Sequence, residues 1–393
     1  MKSYEKYKPT RVEWIGEIPE HWTVKRLKTL SKLEYGESLA VISREEGDIP
    51  VFGSNGITGF HTSSITNAPC IVVGRKGSYG KINWSAKECF PIDTTYYIDN
   101  SKTDQHLRWL YYILPNLGLD LFSKDTGVPG LSREDAYQNL IPLPNFEEQT
   151  AIANYLDEKT VQIDTLIEKK QKLIELLKEE RTAIINQAVT KGINPKVKFK
   201  PSGIEWLGDI PEHWEVKRLK YLSEIKTGEK NTEDRVEDGM YPFFVRSQEI
   251  ERINSYSFEG EAILTAGDGV GVAKVFHYYN GKFDYHQRVY RISHFKEVIG
   301  KYLFYYLKVN LIKEILRYNA KSTVDSLRLP MFQNFLIIYP KDTEEQTAIV
   351  QQIETSTQKI DATISKIERE IELMQEYRTA IISEVVTGKI KVI

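Results

Sequence analysis

"GIEWLGDIPEHWEVKRLK", Gly203–Lys220, stands in the middle of the chain and reads as a domain start, because nearly the same words, "RVEWIGEIPEHWTVKRLK", occupy Arg11–Lys28. Between Val12–Leu30 and Ile204–Leu222, 14 of 19 positions agree at an offset of 192. The "KYKP" of Lys6–Pro9 lines up with the "KFKP" of Lys198–Pro201. A second block repeats at an offset of 197: "EEQTAI" at Glu147–Ile152 and Glu344–Ile349, then "RTAII" at Arg181–Ile185 and Arg378–Ile382. The changed offset means that the intervening material differs in length. Each copy is a like opening, a divergent middle of about 115 residues and a like helical close. Two copies at so long a period exclude a solenoid and predict two half-proteins in tandem, a pseudo-dimer within one chain.

The closing blocks carry the clearest local signal. From Glu147 to Val189 there is no Gly or Pro, helix formers dominate, and apolar residues recur in steps of three and four. The seam runs through Ile163, Ile167, Ile174, Leu177 and Ile184 in the first copy, and through Ile360, Ile364, Ile371, Met374 and Ile381 in the second. Lys170 interrupts it where the second copy has Ile367, and Arg181 and Arg378 sit on it as snorkelling surface groups or polar register pins. A single stripe would pack on its own domain. Two of equal length and phase favour mutual pairing as a coiled coil, antiparallel if an internal two-fold axis relates the copies. A helix of this length is roughly 65 Å long, enough to hold two domains about two turns of DNA apart. Gly192 and Pro195 stop the first helix. By analogy, the C-terminus runs toward the segment that opens the chain, so the two ends are expected to meet.

The expected fold is α+β: two globular mixed α/β domains, residues 1–145 and 193–341, in pseudo-two-fold tandem repeat. They are separated by two long helices, 146–192 and 342–393, pairing as an antiparallel coiled coil.

Net charge is −2, and residues 1–145 and 201–340 are each balanced, with 17 basic and 17 acidic groups in the first and 19 of each in the second. A nucleic-acid surface therefore requires charge segregated onto one face. No run approaches the roughly 18 apolar residues of a membrane helix, and the polar N-terminus does not resemble a signal peptide, so a cytoplasmic protein is expected. Cys70 and Cys89 lack metal-ligand spacing and are expected as buried thiols.

The middles read as short strands and many turns. "IPVFGSNGITGFHTSS" (Ile49–Ser64) is turn-rich, and "CIVVGRKGSYGKINW" (Cys70–Trp84) is a strand, a basic glycine loop and a second strand. The second copy has "AILTAGDGVGVAKVF" (Ala262–Phe276) at that place, aligning Gly74 with Gly267 and Lys81 with Lys274 while Arg75 and Lys76 give way to Asp268. Neither loop has the lysine or the following helix of a P-loop, so each is read as a tight hairpin, the functional alternative being a backbone placed close to a nucleic-acid backbone. Loop-borne polar groups are what phosphate and base-edge contacts require. The candidate DNA contacts are Ser54, Asn55, Arg75, Lys76, Ser78, Tyr79, Lys81, Lys124, Thr126 and Arg133 in the first copy. In the second they are Arg246, Ser247, Gln248, Asp268, Lys274, His286, Gln287, Arg288, Lys321, Ser322 and Thr323.

No catalytic constellation is present in the sequence: no Walker A motif, no Asn/Asp-Pro-Pro-aromatic motif, no zinc spacing and no nucleophile elbow. His21 and His213, repeated beside Trp22 and Trp214, are read as packing or capping groups rather than acid-base catalysts.

The ordered set of "EW(I/L)G(E/D)IPEHWxVKRLK" used twice, two "EEQTAI" helix openings, "VTKGINP" and "YPFFVRSQ…AILTAGDGVGVAKVF…HQRVYRI" resembles the specificity subunit of Type I restriction-modification systems along nearly the whole chain. The resemblance implies two target-recognition domains, each reading one half of a bipartite DNA site through the major groove, with two antiparallel helices setting the gap. It further implies docking of two modification subunits that methylate adenine with S-adenosylmethionine, and two motor-nuclease subunits using ATP and Mg. The chain itself is expected to be non-catalytic and free of cofactor or metal. The competing reading is a structural coiled-coil adaptor with protein-binding lobes.

Overall fold

The computed structural model describes residues 3–121, 129–318 and 326–392. Its contacts define two compact units that cross the sequence blocks. The first is Met1–Lys170 with Arg369–Ile393, and the second is Gln171–Glu368. Each unit thus holds one divergent middle and half of each long helix.

The long helices are Phe146–Lys191 and Thr343–Val386. Asn145 caps the first, its Oδ1 accepting from Glu148 N at 2.8 Å, and Asp342 opens the second, its Oδ1 accepting from Glu344 N at 2.9 Å. Acidic side chains at Glu147, Glu148, Glu344 and Glu345 complement the positive end of each helix. In the first unit Asp164 pairs with Arg378 at 2.8 Å and Lys170 with Glu370 at 2.6 Å, so the helices run antiparallel there. In the second unit Arg181 pairs with Asp361 at 2.9 Å, while Ala188 shares a cavity wall with Gln352 and Ser356, again antiparallel. Of the seam, Ile174, Ile360, Ile364, Ile371 and Ile381 are buried, and Ile163, Ile167, Leu177, Ile184 and Met374 are half-buried. The two seam arginines are bidentate partners of the opposite helix.

The buried face shifts by one residue between copies. Ile381 is in the first core and Ile382 is half-buried, whereas in the second unit Ile185 is buried and Ile184 half-buried. Ile184 instead lines a cavity of about 530 Å³ with Lys191, Phe199 and Gln352.

In the first unit a four-stranded antiparallel sheet runs in the order Glu34–Tyr35, Thr95–Asp99, Cys70–Gly74, Ile82–Ser85. A three-stranded sheet, Gly56–His61, Ile49–Gly53, Phe90–Pro91, stands apart from it. The second unit keeps this order but joins the two parts into six strands: Glu224–Thr227, Val289–Ser293, Phe258–Ala266, Phe276–Tyr285, Tyr241–Phe244, Glu251–Ile253. The joint is Phe276–Tyr285, ten residues without proline. In the first unit the corresponding stretch breaks where Ser85 Oγ donates to Lys87 O at 2.6 Å, and Pro91 lacks a ladder donor. A similar difference separates the helix Leu107–Ile113, ended by Pro115 and a left-handed Gly118, from the uninterrupted Gly300–Tyr318.

Each core takes apolar groups from both long helices. Ile152, Leu156, Ile381 and Val385 join Trp22, Leu27 and Trp109 in the first, and Ile185, Val189, Ile349 and Ile353 join Trp214, Leu219 and Tyr302 in the second. The repeated words "PEHW" and "EEQ" are the two sides of one bond set. Trp22 Nε1 and His21 Nε2 meet the Glu148 carboxylate at 3.1 and 3.0 Å. Trp214 Nε1 and His213 Nε2 meet Glu345 at 3.0 and 2.8 Å. Gln149 and Gln346 each donate to a proline carbonyl, Pro144 and Pro340, and accept from a backbone N–H, His106 and Ile299. At the other helix ends, Lys389 Nζ donates to Ile15 O at 2.8 Å and to Glu17 O, and Lys191 Nζ donates to Asp209 O, the position equivalent to Glu17. The chain's last segment is therefore tied to its first, as the repeat predicts.

Candidate nucleic-acid interface

In the first unit, strands Cys70–Gly74 and Ile82–Ser85 pair from Cys70↔Ser85 to Val73↔Ile82, leaving residues 75–81 as the hairpin loop. Arg75 is held at its backbone on both sides: its N–H donates to Thr94 O, and its carbonyl accepts from Leu131 N, both at 2.8 Å. Its guanidinium donates through Nε and Nη2 to Asp93 O at 3.1 and 2.8 Å and lies 5.4 Å from the centre of the Tyr35 ring. The Arg133 guanidinium lies 4.8 Å from the same ring. Tyr35, Arg75, Lys76, Tyr96, Arg133 and Asp135 line a cavity of about 280 Å³.

A second cluster adjoins the turn between Ile49–Gly53 and Gly56–His61, where Lys81 Nζ donates to Asn55 Oδ1 at 2.7 Å. Lys76 and Ser78 are exposed, and Tyr79 is half-buried against the core. Ser54 differs: its hydroxyl is buried and donates to Thr94 O at 2.6 Å. Lys124 and Thr126 lie outside the described residues.

The second unit builds the same frame from other side chains. Gly267 N donates to Arg288 O and Leu327 N to Gly267 O, both at 2.8 Å, and Tyr290 Oη donates to Leu327 O just as Tyr96 Oη donates to Leu131 O. Gly267 therefore matches Arg75 rather than Gly74, one residue off the sequence alignment, and Asp268 takes the place of Lys76, accepting from Arg246 Nη1 at 2.9 Å and from Arg288 Nη1 at 2.6 Å. Burial pushes the Asp268 carboxyl up, but the hydrogen bonds and charges of both arginines outweigh it and hold the group below the usual carboxylate range. His286 is buried, its pKa lowered first by burial and then by the same arginines, so it is neutral and its Nδ1 accepts from Arg288 N. Gln287 donates to Asn231 Oδ1, Gln248 donates to Lys274 O at 3.0 Å, and Ser247 Oγ accepts from Glu249 N at 3.1 Å. The Lys274 side chain is exposed. Lys321, Ser322 and Thr323 lie outside the described residues.

Two participants escape the sequence reading. Tyr35 is the ring that Arg75 and Arg133 share, and Asn231 orients Gln287. A signal existed: "YGE" at Tyr35–Glu37 and "TGE" at Thr227–Glu229 prolong the repeat beyond Leu30 and Leu222 at the same offset. The shared glycines mark a close approach, since a Cβ on Gly36 would stand 2.1 Å from Ile92 O and one on Gly228 2.0 Å from Tyr285 O.

These loops offer guanidinium, ammonium, amide and hydroxyl groups on a rigid sheet, the inventory for phosphate and base-edge contacts. Among the described residues no group of three or more His, Cys, Asp or Glu is placed to hold a metal ion, and no helix is long and apolar enough to cross a membrane. The two units are thus one binding scaffold made twice, each bearing its own polar loops. The chain belongs to the Type I restriction modification DNA specificity domain family, whose model matches residues 19–177 and 211–373. It is a Type I specificity subunit with two such domains, the non-catalytic member of these systems, and membership implies DNA and a restriction-modification complex as partners.

Relatives agree along much of the length. The MjaVIII and MjaIX specificity subunits of Methanocaldococcus jannaschii are 27% and 24% identical, over 95% and 96% of this chain and 94% and 95% of theirs. The EcoDI specificity subunit of Escherichia coli is 28% identical over 47% of this chain and 40% of that relative. Among solved structures, a chain from work on assembly and conformational transition of the type I R-M system matches with a TM-score of 0.66 at 15% identity, over 95% of this chain and 99% of that one. The HsdS subunit from Thermoanaerobacter tengcongensis matches with a TM-score of 0.52 at 14% identity, over 95% and 98%.

Proposed function

We propose that the chain binds double-stranded DNA, each unit reading one half of a bipartite, asymmetric site, while the two long helices set the unspecified gap and dock two modification subunits. Two motor-nuclease subunits complete the complex. This chain carries no cofactor of its own: S-adenosylmethionine belongs to the modification subunits, and ATP and Mg to the motor subunits. The complex works in the cytoplasm, where its DNA is.

The observation that carries this reading is the pairing of a duplicated mount with unlike loops. His21–Trp22–Glu148 and His213–Trp214–Glu345 are the same construction, whereas the loops they support present Arg75, Lys76 and Arg133 in one unit and Arg246, Asp268 and Arg288 in the other. Like mounts suit two copies of one partner, and different loop donors and acceptors suit two different base sequences.

The test is to assemble the chain with its modification subunits and map the methylated adenines. Replacing residues 1–145 by the same domain of another family member is expected to change one half-site and leave the other. Inserting one heptad in each long helix is expected to lengthen the gap by roughly three base pairs. An unchanged half-site after the replacement, or binding indifferent to salt and sequence, would favour the adaptor reading.

A further inference from the structure

Two segments of the second unit converge on the Asp268 carboxylate. Arg246, just after strand Tyr241–Phe244, reaches one oxygen, and Arg288, just before Val289–Ser293, reaches the other. Exposure is graded: the Asp268 side chain is 22% exposed, Arg246 42% and Arg288 57%. The carboxylate lies beneath and the guanidinium groups lie outermost. Among the described residues, the only side-chain hydrogen bond of either guanidinium is the one to Asp268, through a single Nη1, so most of the five N–H donors of each fork remain for a ligand.

A carboxylate in a loop that meets nucleic acid opposes phosphate unless cations offset it. Here two guanidinium charges and one carboxylate leave the cluster net positive. What the carboxylate adds is orientation. A phosphate contact needs charge, which a mobile exposed lysine such as Lys274 supplies, whereas a base edge needs a planar fork held in one direction. The first unit makes the contrast: Arg75 has both Nε and Nη2 on Asp93 O, so that edge of its fork is taken by the fold. Arg288 keeps a free edge and has its rotamer fixed in advance.

We propose that Arg288, oriented by Asp268, is a base-reading residue of the second unit and recognises a guanine through O6 and N7, the acceptor pair that matches a guanidinium fork. Asp268 is a positioning residue, and Arg246 is the second cation that keeps the carboxylate compatible with DNA. The inference rests on the reading that this unit binds DNA.

The experiment uses the complex of the full chain with its modification subunits, on its mapped site. With the unaltered protein, 7-deazaguanine, which lacks the N7 acceptor, is placed at each guanine of the second unit's half-site in turn. A loss of about fivefold or more at one guanine is expected. Arg288→Ala should abolish preference for guanine at that position, a change of roughly 5- to 150-fold in discrimination, and leave the other half-site intact. In that variant 7-deazaguanine should have no further effect, because the two changes remove one interaction. Asp268→Asn should lower discrimination at the same position while assembly is unchanged, and Arg288→Lys should keep the salt dependence while weakening the guanine preference.

The inference is overturned if Arg288→Ala weakens all sequences equally and reduces the salt slope by about one, the mark of a phosphate contact. It is equally overturned if no guanine of that half-site is sensitive to 7-deazaguanine, a result that stands even where Arg288→Ala fails to fold. Sequence-specific binding that persists beside either result removes this inference alone. Absence of specific binding by the unaltered complex removes the reading beneath it.

Discussion

Glu148 and Glu345 accept the same pair of hydrogen bonds in the two units, whereas Lys76 and Asp268, at the same loop position, carry opposite charge. The glutamates are clamped from both sides by groups of the fold, a tryptophan and a histidine, so any change leaves a donor without its partner. The residue before that position is held through its backbone, by Leu131 N on Arg75 O and Leu327 N on Gly267 O, so the side chain that follows is released to differ. One scaffold thereby supports two chemistries.

The largest test of this contrast lies in the mount. Trp22 and Trp214 are fully buried, and replacing either by Ala is expected to cost about 3–5 kcal/mol in the unit that contains it. Calorimetry should show one of two unfolding transitions moving, a different one for each variant. Removing the acceptor instead sharpens the comparison, because Glu148 is 5% exposed at its side chain and Glu345 26%. Glu148→Ala, which orphans the buried Trp22 N–H, should cost about 1–3 kcal/mol, and Glu345→Ala less, since the Glu345 side chain is partly open to solvent and water can take its place. Equal losses would mean that the two mounts are alike in energy as well as in form.

The helix ion pairs should matter less. Arg378 with Asp164, and Arg181 with Asp361, are bidentate but partly exposed, so double-mutant cycles should return about 0.5–1 kcal/mol for each, falling in high salt. A coupling present in one unit and absent in the other would break the symmetry of the seam.

The smallest effect concerns pH. Asp268 has a folded pKa below its unfolded value of about 3.9, so its contribution to stability is complete above that value and is lost as pH falls through the folded pKa. The stability difference between the protein and its Asp268→Asn variant should therefore shrink on acidification below about pH 4, as followed by denaturant unfolding. A difference constant across that window would mean that Arg246 and Arg288 do not hold the carboxylate.

Much of the architecture was legible in advance because it repeats. The helix phase placed Ile174, Ile360, Ile364, Ile371 and Ile381 on a buried seam, and the changed offset separated mount from loop. The loops were located by their glycines, but their side chains were not sorted. Ser54 looks like any loop serine in sequence, yet its hydroxyl is buried on Thr94 O, while Tyr35, outside every glycine loop, stands against Arg75 and Arg133.

The sequence by itself determined the duplication, the two helices and their seam, since helix periodicity and repetition are local properties that each segment carries with it. Only the tertiary structure decided which groups meet. It joined His21 and Trp22 to Glu148 across more than a hundred residues, merged six strands in one unit where the other keeps two sheets, and set Arg246 and Arg288 on one carboxylate. Those outcomes depend on distances between side chains far apart along the chain, which burial and hydrogen-bond completion fix and which no local pattern encodes.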